Sequence, residues 1–256
     1  MDFSNHVLTT YQYYNTDKIH LGHKGDWGGV IAKCPFQYDY YIGIGLWGDE
    51  KFTRDFINEH RIPKHKCILY DNTKNREATS DIFKETAIHS PELNKGLNMQ
   101  QITIGKSFNL GFIFNSCKNA FVRVDIEGRE YEWLNSLSVT QLNNIQQLYI
   151  QIYGYNDRED NEYDFYFRLR ALERLNETHY LVHACPNNHY SIYEGYMADT
   201  FRLNYVRKDA YKEQMGSFTP PLLNITPLPI PGLDHQNNPD ATDITFFFPP
   251  FCHLSS

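Results

Sequence analysis

The string Arg123-Val124-Asp125-Ile126-Glu127-Gly128-Arg129-Glu130 places five charged side chains within eight residues. Asp125 and Glu127 flank one apolar residue directly after an apolar run, and a glycine follows. Acids at a strand tip of an α/β sheet face the crevice where such folds bind ligands. There they can accept hydrogen bonds or take a proton from a reacting hydroxyl. Glu130 also suits the first turn of a following helix, whose dipole favours acids.

Two more features have the same character. Tyr41-Ile42-Gly43-Ile44-Gly45-Leu46-Trp47-Gly48 joins an apolar run to a helix-like segment. Gly43 and Gly45 would let the backbone turn tightly and approach a ligand, or simply make a tight turn. Asp71 closes the next apolar run, 66–70, where an acid can hold ribose hydroxyls or start an Asx turn. His179, His183 and His189 lie close together, and strict strand alternation would turn 179 and 183 to the same side. A zinc site is conceivable there, but neither an H-E-x-x-H string nor a cysteine partner supports it.

The elements that must position these residues read as an alternation of strands and helices. Strands are expected at 38–43, 66–70, 100–104, 121–124 and 147–153, and helices at 49–60 and 130–137. The segment 164–177 is a helix with Phe165, Leu169, Leu172 and Leu175 as its apolar stripe. Arg168, Arg170, Glu173 and Arg174 would face solvent. Strands at 180–184 and 200–206 follow with no helix-length segment between them, so they read as an antiparallel pair in a mixed sheet. Residues 1–214 are thus expected to form one domain, N-terminal segment 1–36 included. Residues 215–256 are rich in proline, which breaks regular elements, yet carry Phe246-Phe247-Phe248 and Phe251. They read as an extended arm packed on the domain or on a partner subunit, through which a homodimer could form.

Taken in this order, the motifs resemble the FkbM-like branch of class I S-adenosylmethionine-dependent methyltransferases. The string 123–130 matches the family's K/R-x-D-x-E-G-x-E pattern. Gly22-His23-Lys24-Gly25-Asp26-Trp27-Gly28-Gly29-Val30 echoes its D-G-G-Y segment, with Trp27 inserted and Val30 in place of the aromatic. His183-Ala184-Cys185-Pro186-Asn187-Asn188 is similar to its His…Asn-Asn turn. The resemblance spans residues 18 to 210. It implies a Rossmann-like α/β fold with a seven-stranded mixed sheet, the last strand antiparallel and helices on both faces. It also implies methyl transfer from S-adenosylmethionine to a hydroxyl of a sugar, glycan or other small acceptor. Gly43, Gly45, Asp71, Glu50 and Lys24 would address the cofactor, and Asp125, Glu127 and His183 the acceptor's proton. Asp157, Glu159 and Asp160 offer oxygen ligands for Mg²⁺, but equally suit a solvated loop, so no metal ligand is assigned. A nicotinamide-dependent oxidoreductase would also use G-x-G and a strand-end acid, though the third glycine is missing. A non-catalytic binding protein keeping the fold is the other alternative.

Composition bounds the partners. In 256 residues, 24 Lys+Arg against 31 Asp+Glu give a formal charge of −7, which argues against a nucleic-acid partner. No apolar stretch approaches the ~20 residues needed to cross a bilayer, and no signal peptide is visible. Five widely spaced cysteines form no C-x-x-C pair, as expected of reduced thiols in a cytoplasmic protein. Of the 19 Tyr, 17 Phe and 3 Trp, Trp27, Trp47, Tyr155, Tyr190, Tyr193 and Tyr196 fall in loops near the expected crevice. Stacking on an adenine or sugar ring would use them there.

Overall fold

The computed structural model describes residues 13–25, 28–45, 51–70, 110–126, 128–153, 162–190, 192–193, 197–215 and 221–253. Its strands are β1 (Lys18–Gly22), β2 (Gly28–Ala32), β3 (Tyr40–Ile44), β4 (Cys67–Tyr70), β5 (Ala120–Val124), β6 (Ile145–Ile152), β7 (His179–Pro186), β8 (Ile192–Tyr193), β9 (Met197–Ala198) and β10 (Phe201–Arg207). Its helices are α1 (Lys51–Glu59), α2 (Glu130–Ser136), α3 (Val139–Leu142), α4 (Glu162–Thr178) and α5 (Lys208–Met215).

The central sheet runs β4-β3-β5-β6-β10-β7. Its β3, β4, β5 and β6 pair in parallel, while β10 is antiparallel to both neighbours, β6 and β7. The expected antiparallel terminal pair is therefore present. Among the described residues the sheet has six strands, against the seven expected. The hairpin strands β1 and β2 pair with each other and lie over the sheet instead of extending it. The expected strand at 100–104 lies outside the described residues.

Period-two alternation gives the sheet two differently furnished faces. One face carries Ile42, Val122, Val124, Leu148, Ile150 and Leu203, all buried with α2, α4 and the C-terminal segment. In α4, Leu169, Leu172 and Leu175 are buried as their spacing predicts. Arg174 departs from the solvent-facing expectation: it donates to the carbonyls of Asn135, at 2.9 Å, and of Leu137. These groups end α2 and lack helical partners, so a guanidinium supplies them. From the arm, Phe246 and Phe251 stack on each other at 4.5 Å and on Phe201 at 5.6 and 5.9 Å.

The other face carries Tyr41, Phe121, Tyr149, Gln147, Gln151, Arg202 and Asn204. Helix α1 covers one part through Phe52 and Phe56, whose ring lies 3.8 Å from Phe121. The β1–β2 hairpin covers the rest through polar contacts. Asn204 Oδ1 accepts from Ala32 N at 2.9 Å, and Gln147 donates to Ala32 O at 3.2 Å.

An irregularity in the β7–β10 pairing corrects the reading of the histidines. Asn204 pairs with His183 but Tyr205 with Leu181, leaving Val182 as an extra residue. A bulge flips the side-chain alternation beyond it. His183 pairs with Asn204 and His179 with Arg207, so the two imidazoles lie on opposite faces and share no site. Ring atom Nε2 of His179 donates to the Ile145 carbonyl at 2.9 Å, leaving Nδ1 to accept from Thr178 at 2.7 Å. Burial lowers its pKa to about 4. The folded value lies below the unfolded value of about 6.5, so the stabilisation is full above pH ~6.5 and fades as pH falls through the folded value. Urea titrations are expected to show about 3 kcal/mol of acid destabilisation between those limits. In His179→Gln that part of the slope should vanish; an unchanged slope would remove the assignment.

Candidate functional site

In the order β4-β3-β5, the chain leaves β3 for β4 on one side and reaches β5 on the other. Ligands of open α/β sheets bind outside the carboxyl ends at such a switch point. Gly45 and Asp125 meet there. Gly45 turns the chain after β3 with φ +75°, and its N–H donates to Tyr70 O at 2.8 Å. The amide of Asp125 donates to Ile44 O at 2.9 Å. A side chain on Gly45 would put Cβ 1.8 Å from the Asp125 carbonyl oxygen, so glycine is required by the neighbouring strand end itself. Gly43 sits within β3, paired with Leu69 and Arg123.

Asp125 is half-buried and faces a set of donors. Tyr153 donates its hydroxyl to Asp125 Oδ1 at 3.0 Å. Gln151 Nε2 stands 3.5 Å from both carboxylate oxygens and donates to the Tyr153 hydroxyl. Burial first, then the Asp125 charge, push the Tyr153 phenol far above its ordinary pKa, so it stays a donor. The ring of Tyr190, an exposed loop residue, meets Tyr153 edge-on at 5.5 Å. Behind Gln151 lies the buried Arg202, whose Nε donates to Gln151 Oε1 at 3.0 Å. Its Nη1 reaches the carbonyls of Gly25 and Gly28 at 3.2 and 3.0 Å, and its Nη2 reaches Asn237.

The last acid of the 123–130 string shapes the loop after β5. Glu130 is fully buried and accepts from Ile126 N at 2.8 Å and Gly128 N at 3.0 Å. Burial lifts its pKa to about 8 against the pull of these N–H groups. The glycines before and within β2 serve packing. A Cβ on Gly28 would fall 1.8 Å from His23 O, and one on Gly29 would fall 2.1 Å from the Tyr149 hydroxyl. Lys24 is exposed in the β1–β2 turn, beside the Gly25 carbonyl held by Arg202.

His183 is buried with both ring nitrogens engaged. Nε2 meets Asp234 Oδ1 at 2.8 Å, and Nδ1 meets the Tyr13 hydroxyl at 3.2 Å. Burial raises the Asp234 pKa, but the His183 charge and hydrogen bond and the Ile230 N–H outweigh it and bring the carboxyl below its usual range. A small cavity is lined by residues that include His20, His183, Cys185, Arg202, Asp234 and His235.

Asp71, Glu50, Glu127, Asp157, Glu159, Asp160, Trp27, Trp47, Tyr155 and Tyr196 lie outside the described residues. Among the described residues no group of three His, Cys, Asp or Glu gathers to hold a metal, and no helix is long and apolar enough to cross a membrane. None of the five cysteines is in a disulfide. Sequence reasoning did not single out Gln151, Arg202 or Asp234. For Gln151 a signal existed: Gln147, Tyr149 and Gln151 put polar groups at every second position of a strand with no exposed residue. Asp234 sits in the arm, where no periodicity marks it.

The residues therefore sit in a mixed α/β protein whose parallel-rich sheet is compatible with a Rossmann-like fold, with a carboxylate and a glycine at a sheet switch point. No family model and no curated protein matches the chain. Among solved structures, it is similar to a chain of one described as "crystal structure of fibrillarin/Nop5p complex", at 9% identity and a TM-score of 0.34, over 67% of this chain and 74% of that one. A likeness that distant bears on neither fold nor activity.

Proposed function

We propose that the protein is an S-adenosylmethionine-dependent methyltransferase of the FkbM-like type, acting on a hydroxyl of a sugar or other small acceptor. The observation that carries the reading is the meeting of three strand ends: Gly45 after β3, Tyr70 preceding Asp71 on β4, and Asp125 after β5. The antiparallel β10 between β6 and β7 supports it, as does the match of residues 123–130 to the family string. The donor set suits a nucleoside-like cofactor, with an acceptor carboxylate beside a glycine turn.

The cofactor would supply a methyl group activated on a sulfonium, and holding the reactants in line would supply much of the rate. Asp71 would accept from ribose hydroxyls, with Gly43 and Gly45 allowing close approach. Lys24 and Glu50 would address the amino-acid end. Asp125 is the proton acceptor that the geometry favours, because it is half-exposed and its oxygens are already oriented. His183 has both nitrogens engaged, which disfavours it, and Glu127 keeps the role that the string implies.

Calorimetry should detect binding of S-adenosylhomocysteine but not of NAD. Asp71→Ala should weaken that binding at least tenfold, the scale of one lost charge-assisted hydrogen bond. With labelled methyl donor and a panel of sugars, Asp125→Ala should cut turnover about 10²–10⁴-fold, the scale of a lost general base. Binding of NAD alone would replace this reading with the oxidoreductase one, and binding of neither would favour a non-catalytic protein.

A further inference from the structure

The hydrogen bonds behind Asp125 run in one direction, and their chemistry dictates which. A guanidinium has only donors and an ionised carboxylate only acceptors. Arg202 Nε therefore must donate to the Gln151 side chain, and only the amide oxygen can receive it. That choice turns Gln151 Nε2 toward Tyr153 and Asp125. The Tyr153 oxygen accepts from Gln151, so its single proton is left to point at Asp125 Oδ1. We propose that Arg202, Gln151 and Tyr153 form a one-way relay whose function is to hold the Asp125 carboxylate in one orientation, as an acceptor toward the crevice.

Each bond in such a chain polarises the next, and the far end is anchored. Arg202 is itself fixed by the Gly25 and Gly28 carbonyls and by Asn237. The β1–β2 hairpin and the C-terminal arm thus meet at the guanidinium, and their placement reaches Asp125 through two intervening side chains. Three positioning residues follow from this, none of which touches the reacting atoms. That Asp125 acts on a methyl acceptor rests on the reading above; the relay itself does not.

The test is made on the whole protein without any acceptor. Infrared spectra of protein with ¹³C-labelled aspartate carboxyls are recorded at neutral pH, and the Asp125 band is identified by its loss in Asp125→Asn. Tyr153→Phe and Gln151→Met should each shift that band. Arg202→Met, three hydrogen bonds away along the relay, should split or broaden it, because the Gln151 amide is then free to turn over. Arg202→Lys, which can only donate, should restore a single band. If Arg202→Met does not fold, Tyr153→Phe, at a half-buried strand end, still decides. A band unmoved in folded Tyr153→Phe and Gln151→Met overturns the relay. S-Adenosylhomocysteine binding is measured alongside. Shifted bands without binding keep the relay and sink the methyltransferase reading, and binding with unmoved bands does the reverse.

Discussion

Gly45→Ala should leave little folded protein, with a loss of stability beyond about 3 kcal/mol. Two costs combine. The left-handed φ of +75° penalises any Cβ by about 1–2 kcal/mol. The new atom would also sit 1.8 Å from the Asp125 carbonyl oxygen, 2.7 Å from its carbon and 3.0 Å from Ile126 Cγ2. The first two are backbone atoms, and the Gly45–Tyr70 and Asp125–Ile44 hydrogen bonds hold both strand ends. Relief therefore requires separating β3 from β5, against a typical total of only about 5–15 kcal/mol. Gly128→Ala is the control. Its φ is +89°, but no described atom lies within 4 Å of the added Cβ, so only the conformational cost of about 1–2 kcal/mol applies. Equal thermal midpoints for the two variants would show that strand contact at the site is not what Gly45 serves.

The contrast between these glycines explains how much of the molecule was legible beforehand. Among the described residues between Tyr40 and Thr178, the strand–helix alternation was visible because apolar side chains repeat at two or 3.6 residues wherever one face is buried. The antiparallel end was visible because no helix-length segment could be read between the two strands. The β1–β2 hairpin was not. Gly28 and Gly29 carry the signature of a backbone approached closely, and the sequence cannot distinguish a ligand from the ring of Tyr149 as the approaching group. The Val182 bulge leaves no local mark either, since the register is settled by β10, and it overturned the placement of His179 beside His183. Asp125 stood out in the sequence because a strand tip concentrates ligand contacts. Gln151 beside it and Arg202 behind Gln151 come from other strands, and only the pairing register brings those two together.

The pair formed by His183 and Asp234 should behave differently when it is broken than when it is replaced. Asp234→Ala leaves a buried imidazole facing its lost partner, together with an unsatisfied Ile230 N–H, and should cost about 3–5 kcal/mol. The double variant His183→Leu with Asp234→Ala removes both polar groups of the pair and should cost less than the sum of the two single changes, because desolvation of the pair is no longer incurred. The sign of the pH dependence follows from the depressed Asp234 carboxyl. Its contribution is complete above the ordinary carboxylate value of about 3.9 and is lost as pH falls through the lower folded value. Denaturant titrations should therefore show the wild type and Asp234→Ala converging only in strong acid. Because the pair joins β7 to the arm, protease cleavage within 221–253 should accelerate in the single variant at neutral pH and return toward the wild-type rate in the double one. Strict additivity of the two substitutions would mean that His183 and Asp234 are not coupled, and the 2.8 Å contact would then contribute nothing to holding the arm.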